Sequence, residues 1–388
     1  MIDWGMLVVL LLAIAIGFAM GRRSKKIVDE PGAPSLEPHY IQGLNYLLNE
    51  RPDAAIDTFI DALDVNSETL ETHLALGNLL RKRGEVGRAI KIHQNLLARP
   101  GLGKDQGRQV QLELARDFVK AGLLDRAEML LLELVETSVH PVRTQCLEYL
   151  IEIYRDEKEW RKAIESIARL SSRRFSRLPD RWRLVQSHFY CELAQEALDK
   201  SDYLTARRQI KAAFVADKLS ARASLLLGEL EYRLGQYKEA IKALKQVFHQ
   251  DPSLLPEAID LLVTCYRATG RLAHLRDYLE GLIPQGAPVS VVIALVDLIE
   301  RDEGAATAAA FLAKHLLSSS SLVAADKMLK LQLAMARDDE GLEMASKAVT
   351  SIQALAPDYR CQSCGFSGQK MHWLCPGCKA WGRVRPVE

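Results

Sequence analysis

An excess of charge of one sign is the first thing this chain lacks. Its 51 Lys and Arg against 50 Asp and Glu leave a formal net charge of +1, so there is no global electrostatic footprint for nucleic acid. Also missing, ahead of the last thirty residues, is any run of alternating β-branched residues of the kind that builds a sheet; the long middle is expected to be helical. No Gly-rich phosphate loop, nucleophile elbow or His-Glu-x-x-His pair occurs, and with them go the common signatures of nucleotide, acyl-transfer and zinc-protease chemistry. The chain reads as a binding protein, not an enzyme. Cysteine is sparse as well. Cys146, Cys191 and Cys265 are scattered with no Cys or His at ligand spacing, and core or groove positions are expected for them.

The other four cysteines crowd into eighteen residues, Cys361, Cys364, Cys375 and Cys378, as two Cys-x-x-Cys pairs with ten residues between them. Gly365 follows the first pair, and Pro376 and Gly377 lie inside the second, so each pair is read as a tight turn. Two such turns facing one another offer four sulfurs to one tetrahedral ion, the geometry preferred by zinc or by iron in an all-sulfur site. Two disulfides would suit a small secreted domain, but the topology argued below places this end in a reducing cytoplasm. A redox-active Cys-x-x-Cys would need only one pair beside a βαβ pattern that is missing. One metal ion, iron or zinc, is therefore the expected cofactor. So short a ribbon owes its folding to that ion, worth about 10–16 kcal/mol for structural zinc in small peptides. Tyr359, Phe366, Trp373 and Trp381 are candidates to shield the sulfurs, and His372 is the alternative ligand.

Residues Trp4 to Met20 carry no charge and would span about 26 Å as a helix, near the lower limit for crossing a bilayer. Arg22, Arg23, Lys25 and Lys26 follow at once. Positive flanks stay in the cytoplasm, which puts the amino terminus in the periplasm and the bulk of the chain in the cytoplasm. A cleaved signal peptide would need a positive n-region, which is missing. The basic cluster could also attract anionic headgroups. The expected organisation is an anchor (1–20), a basic segment and linker (21–37), helical repeats (38–356) and a metal ribbon (357–388).

The middle repeats itself. A small residue precedes an apolar stripe at Ala55, Ala89, Ala127, Ala163, Ala206 and Ala240, at intervals of 34, 38, 36, 43 and 34 residues. Partners twelve residues earlier are Gly43, Gly77, Ala115, Ala194 and Gly228, with Ile151 breaking the rule. Small side chains at both places let two antiparallel helices approach to about 8–10 Å. The stretch from Gly228 through Gly235, Tyr237 and Ala240 to Pro252 is the tetratricopeptide pattern. Gly84, Gly122, Gly235 and Gly270 fall where first helices stop and supply left-handed caps. A seventh pair, 256–283, keeps Tyr266 and Gly270 but has Leu275 for alanine; 288–356 reads as degenerate capping units. The longest interval holds five arginines with Phe175 and Trp182 between Ser171 and Arg183, read as a solvated extension in preference to a nucleic-acid or lipid patch.

Stacked helix pairs make a concave groove lined by first helices. Repeat register aims Glu71, Leu74, Asn78 and Arg81, then Glu148, Glu152 and Arg155, then Arg222, Leu225, Glu229 and Tyr232 into it. The mixed charge suits a protein or peptide partner.

The sequence Tyr359-x-Cys-x-x-Cys-Gly-Phe366 followed by Cys375-Pro-x-Cys378 resembles the paired knuckles of rubredoxin, with a shorter spacer. An amino-terminal anchor, tetratricopeptide repeats and such a ribbon together resemble the bacterial lipopolysaccharide assembly protein B family over essentially all 388 residues. That resemblance implies an inner-membrane adaptor regulating lipopolysaccharide synthesis. Its partners would be the membrane protease FtsH and the LpxC deacetylase, whose proteolysis it promotes, and other lipopolysaccharide-assembly membrane proteins; a homodimer is allowed for. The four cysteines carry over as metal ligands. The ribbon is expected to pack on the last repeats. Two rival readings are an electron-transfer protein and a nucleic-acid-binding zinc ribbon using Arg360, Lys370, Lys379, Arg383 and Arg385.

Overall fold

A computed structural model describes residues 42, 45–46, 49, 58, 70–99, 102–170, 178–316, 321–336 and 339–387. The expected anchor, basic segment and linker lie outside them, as do Gly43, Ala55 and most of the first repeat. Among the described residues no helix is long and apolar enough to cross a membrane. Those residues form sixteen α-helices, three short strands and two 3-10 turns. The chain divides into two compact units, residues 1–138 and 139–388.

Among the described residues the first unit holds two helix pairs, α1 (Leu70–Arg83) with α2 (Val86–Leu97) and α3 (Lys104–Lys120) with α4 (Leu124–Thr137). The second unit opens with α5 (Val142–Asp156) and α6 (Trp160–Leu170), α7 (Asp180–Asp199) and α8 (Tyr203–Ala216), and α9 (Ala221–Arg233) and α10 (Tyr237–Gln250). It continues with α11 (Pro256–Ala268) and α12 (Leu272–Leu282), α13 (Val289–Glu303) and α14 (Ala305–Leu316), and α15 (Leu322–Met335) and α16 (Glu340–Leu355).

One packing rule repeats through both units. The fourth residue of each second helix, Ala89, Ala127, Ala163, Ala206 and Ala240, is fully buried. Leu275 occupies the same place in α12 and Ala308 in α14, both also fully buried. Opposite them the first helix must be small: a methyl group on Gly228 would overlap Leu244, and one on Gly77 would overlap the His93 ring. Each tight turn between the helices of a pair reverses through one left-handed residue, as at Gly84, Gly122, Gly235 and Gly270. The next amide then donates back into the first helix, for example Leu123 N to Phe118 O at 2.9 Å and Gln236 N to Glu231 O at 2.8 Å, which satisfies carbonyls the helix end would orphan. Lys158 and Ser201 take the same conformation with φ of 60° and 56° and the same return bonds.

The last pairs are less degenerate than the sequence suggests. Val291, Leu295, Val296 and Ile299 of α13 join the apolar core that runs through α9 to α15. Cys146, Cys191 and Cys265 are all buried and none is in a disulfide, as their scattered positions imply. After α16 come β1 (Tyr359–Cys361), β2 (Ser367–Gly368) and β3 (Val384–Pro386), an antiparallel sheet in the order β2-β1-β3. Tyr359 pairs with Gly368 on one side and Pro386 on the other, and Cys361 pairs with Val384.

Candidate metal centre and groove

The two Cys-x-x-Cys turns are near copies of one another. Gly365 N donates to Cys361 O at 3.0 Å and Cys361 N to Phe366 O at 2.7 Å. In the second turn Lys379 N donates to Cys375 O at 2.9 Å and Cys375 N to Ala380 O at 3.0 Å. Both turns reverse through a left-handed residue, Gly365 and Lys379. The symmetry aims four sulfurs at one point, all within 4.8 Å of one another. Cys361 and Cys378 Sγ lie 3.8 Å apart, Cys364 and Cys375 Sγ 3.6 Å apart. Sulfurs bound tetrahedrally at roughly 2.3 Å from a zinc ion are separated by about 3.8 Å, whereas a disulfide needs about 2.05 Å. The cluster fits one metal ion and does not fit cystines. His372 lies against the Phe366 ring, outside the sulfur cluster.

The thiols themselves call for a cation. Burial works against the Cys361 thiolate, but the Cys364 and Ser363 N–H groups and the thiols of Cys375 and Cys364 outweigh it and bring its pKa down to about 6. The Phe366 N–H favours a thiolate at Cys364, yet burial and the thiols of Cys378, Cys375 and Cys361 outweigh it and hold that group up at about 12. Four sulfurs this close cannot all ionise without a compensating charge, which a bound metal supplies.

Of the four aromatics expected to shield the sulfurs, Tyr359 and Phe366 do so, packed with Met371 against Cys361, Cys375 and Val384. Trp373 and Trp381 turn the other way, onto the helices. Trp381 is 6% exposed. Its ring stacks on His188 with centroids 5.0 Å apart and 18° between planes, and it meets Trp160 and Phe189 edge-on. The Arg222 guanidinium lies over Trp373 at 5.1 Å and Trp381 at 6.0 Å and pairs with Glu192 at 2.9 Å. Around this aromatic seat run polar ties: Tyr359 Oη donates to Glu257 at 2.8 Å, Arg385 reaches Asp251 at 2.7 Å, and Lys379 lies 3.7 Å from Asp156. Gly382 approaches His188 so closely that a Cβ there would sit 3.0 Å from Nε2. Charge and burial respond in kind. Burial, more than the neighbouring Arg222 and Arg385 charges, holds His188 well below its usual pKa. Burial also raises the pKa of Glu257 against the Tyr359 hydrogen bond.

This placement corrects one expectation. The ribbon sits on α5 to α7, α9 and α11 in the middle of the repeats, not on the last ones. The physical reason is that Trp160, His188, Phe189 and Arg222 form an aromatic-cationic ledge that Trp373 and Trp381 can bury. Two of the five cations of the nucleic-acid reading, Lys379 and Arg385, face carboxylates of the helices.

The groove residues divide. Arg222, Leu225, Glu229 and Tyr232 come together on one cleft of about 500 Å³, with Leu261 and the ribbon's Trp373 as its other walls. Arg222 is only 5% exposed and lies against Trp373 and Trp381, so it seats the ribbon as well as lining the cleft. Glu229 pairs with Arg233, and the Tyr232 ring contacts Tyr237. Glu148 pairs with Arg181, and Arg155 with Asp156 at 3.0 Å; Glu152 is exposed. In the first unit Glu71 is exposed and Leu74 belongs to the core, not the groove. Arg81 bridges to Glu113 at 2.7 Å and Asp117 at 2.8 Å, and Asp117 meets buried His93 at 2.5 Å. Arg81 therefore ties α1 to α3.

The ledge residues Trp160, His188 and Phe189 carry no sequence signal of their role, because their partner Trp381 is about two hundred residues away. Of the arginine-rich stretch, residues 171–177 lie outside the described ones; Arg181 and Arg183 pair with Glu148 and Asp180, as a solvated extension would.

Stacked helix pairs ending in a double-knuckle ribbon define a tetratricopeptide-repeat protein with a rubredoxin-type metal tail. Family models agree: residues 72–105 and 191–254 match the tetratricopeptide repeat, and residues 359–386 match the rubredoxin metal binding domain. Lipopolysaccharide assembly protein B of Escherichia coli is 34% identical, with 97% of this chain and 96% of that protein aligned. The protein of the same name from Haemophilus influenzae is 33% identical over the same shares. The chain belongs to the lipopolysaccharide assembly protein B family.

Proposed function

We propose that this chain is an inner-membrane-anchored cytoplasmic adaptor that regulates lipopolysaccharide synthesis. It presents the LpxC deacetylase to the membrane protease FtsH and gathers lipopolysaccharide-assembly enzymes. The observation that carries this reading is the end-to-end match to relatives named for lipopolysaccharide assembly. The repeat class, whose stacked pairs serve as protein-binding surfaces, supports the adaptor role. Residues 1–20 supply the tether, which raises the effective concentration of the repeats around a membrane protease. The client segment lies in the cleft beside Trp373, contacting Leu225, Glu229, Tyr232 and Leu261; Glu148 and Arg155 extend the contact in the second unit, and Glu71 and Arg81 are the contacts offered by the first.

Cys361, Cys364, Cys375 and Cys378 hold one iron or zinc ion. The ion's part is structural: it fixes the knuckles so that Trp373 and Trp381 stay on their ledge and keep the cleft walled. Elemental analysis and the colour of the purified protein decide the metal directly.

The test is LpxC turnover in cells. A Tyr232→Ala/Glu229→Lys variant should lengthen LpxC half-life severalfold, and a photocrosslinker at Leu261 should capture LpxC. Deleting residues 1–20 should abolish regulation with the repeats still folded. Normal LpxC turnover with a soluble version would overturn the tethered-adaptor reading.

A further inference from the structure

The outer face of α8 is built unlike a plain solvated helix. Leu204, Arg208, Lys211 and Val215 fall within one narrow stripe at helical spacing, and the turn after the helix continues it with Lys218 and Leu219. All six are exposed, the apolar ones strongly so: Leu204 84%, Val215 74% and Leu219 68%. The stripe from Leu204 to Val215 runs about 16 Å. The helix itself contains no Asp or Glu. The carboxylates at its two ends are turned to backbone: Asp202 accepts from Thr205 N and Asp217 from Leu219 N, both at 3.0 Å. A fourth cation, Arg207, flanks the stripe and is held by Glu231 at 2.5 Å. Beside Val215 opens a cleft of about 430 Å³ whose walls include Leu178, Tyr190, Ala212 and Ala216.

We propose that this face rests on an anionic lipid surface, with Arg208, Lys211 and Lys218 on headgroup phosphates and Leu204, Val215 and Leu219 in the acyl boundary. Large apolar side chains alternating with cations, free of acidic residues, are what a helix lying in a bilayer interface presents. A lipid surface covers the whole stripe at once, with the cations at the headgroups and the apolar side chains below them. The proposal rests on the tether of the preceding section, which holds the repeats near such a surface. Each cation near an anionic leaflet is worth about fivefold in partitioning, so the face would orient the repeats without anchoring them alone.

The experiment uses the full-length protein with a dansyl-bearing amino acid at Val215, reconstituted into vesicles of phosphatidylcholine with or without phosphatidylglycerol. Only the phosphatidylglycerol vesicles should blue-shift the label and expose it to a lipid-borne quencher. Lys211→Gln and Lys218→Gln should each reduce that response about fivefold, and high salt should weaken it. The same label at exposed Lys242 of α10 should stay in water. Equal emission with both lipids, or a label at Val215 that remains in water, overturns the proposal. A shift that appears only with native membranes and resists the quencher assigns the face to a protein and overturns it as well. Co-flotation with neutral vesicles reports the tether separately, so loss of the anchor and loss of the face are told apart.

Discussion

Cys191 lies among the repeat helices and Cys361 in the ribbon, both buried, and their thiols go opposite ways. Burial pushes Cys191 up to about 11, against the favourable Arg222 charge, whereas backbone N–H groups and neighbouring thiols bring Cys361 down to about 6 in spite of burial. One sulfur is set for packing, the other for a cation. The same contrast runs through the two regions. The repeats are held by many small contacts renewed at every pair, a buried small residue facing a large one, so their stability is a sum of neighbouring terms. The ribbon's own core cluster has three buried residues, two of them cysteines, so its folding is expected to depend on one ion. A defect is local in the first region and total in the second.

The largest effect should therefore come from the metal. Cys361→Ser/Cys364→Ser, or a strong chelator, removes the ion and with it the ribbon's folding energy, about 10–16 kcal/mol if the ion is structural zinc. Elemental analysis should show loss of metal while helical circular dichroism keeps nearly all its signal; an equal loss in both would erase the contrast. Next comes a single packing site. Gly228→Val drives a branched side chain into Leu244 and should cost about 2–3 kcal/mol, read as a lower urea midpoint with unchanged metal content.

The junction between the regions should respond to acid. Docking keeps His188 neutral, chiefly through burial and then through Arg222 and Arg385, with its pKa well below 6.5. An undocked ribbon lets that imidazole protonate, so the released state binds more protons. Docking is then at full strength above pH 6.5 and weakens as pH falls below it, by up to about tenfold per unit. Tryptophan fluorescence follows the release, and His188→Phe, which keeps the stacking, should flatten the slope. The smallest effect should be a gain: Lys158→Gly and Ser201→Gly relieve left-handed strain and should each stabilise by about 0.5–1 kcal/mol in thermal unfolding.

The difference between the regions also governs what could be read from sequence. Helix pairs, their small residues and their glycine caps were legible because each unit repeats a local pattern; the caps at Lys158 and Ser201 were not, since no glycine marks them. Ala308 hides among neighbouring alanines, five of the first six residues of α14, so its register could not be singled out. The four ligands announced themselves by spacing. The ribbon's seat did not, because Trp160, His188 and Arg222 look like ordinary helix residues until Trp381 and Trp373 arrive. Register put Arg222 in the groove, where it lines the cleft and also lies under Trp373; it put Leu74 there too, although that side chain belongs to the core.

The seat is made long before its occupant. Some 220 residues separate Trp160 from Trp381, so at typical synthesis rates of about 5–20 residues per second the aromatic ledge stands bare for on the order of ten seconds or more. During that interval the growing polypeptide shows chaperones a sticky, cationic patch that the finished molecule hides. A chain clipped ahead of the knuckles would leave it uncovered for good.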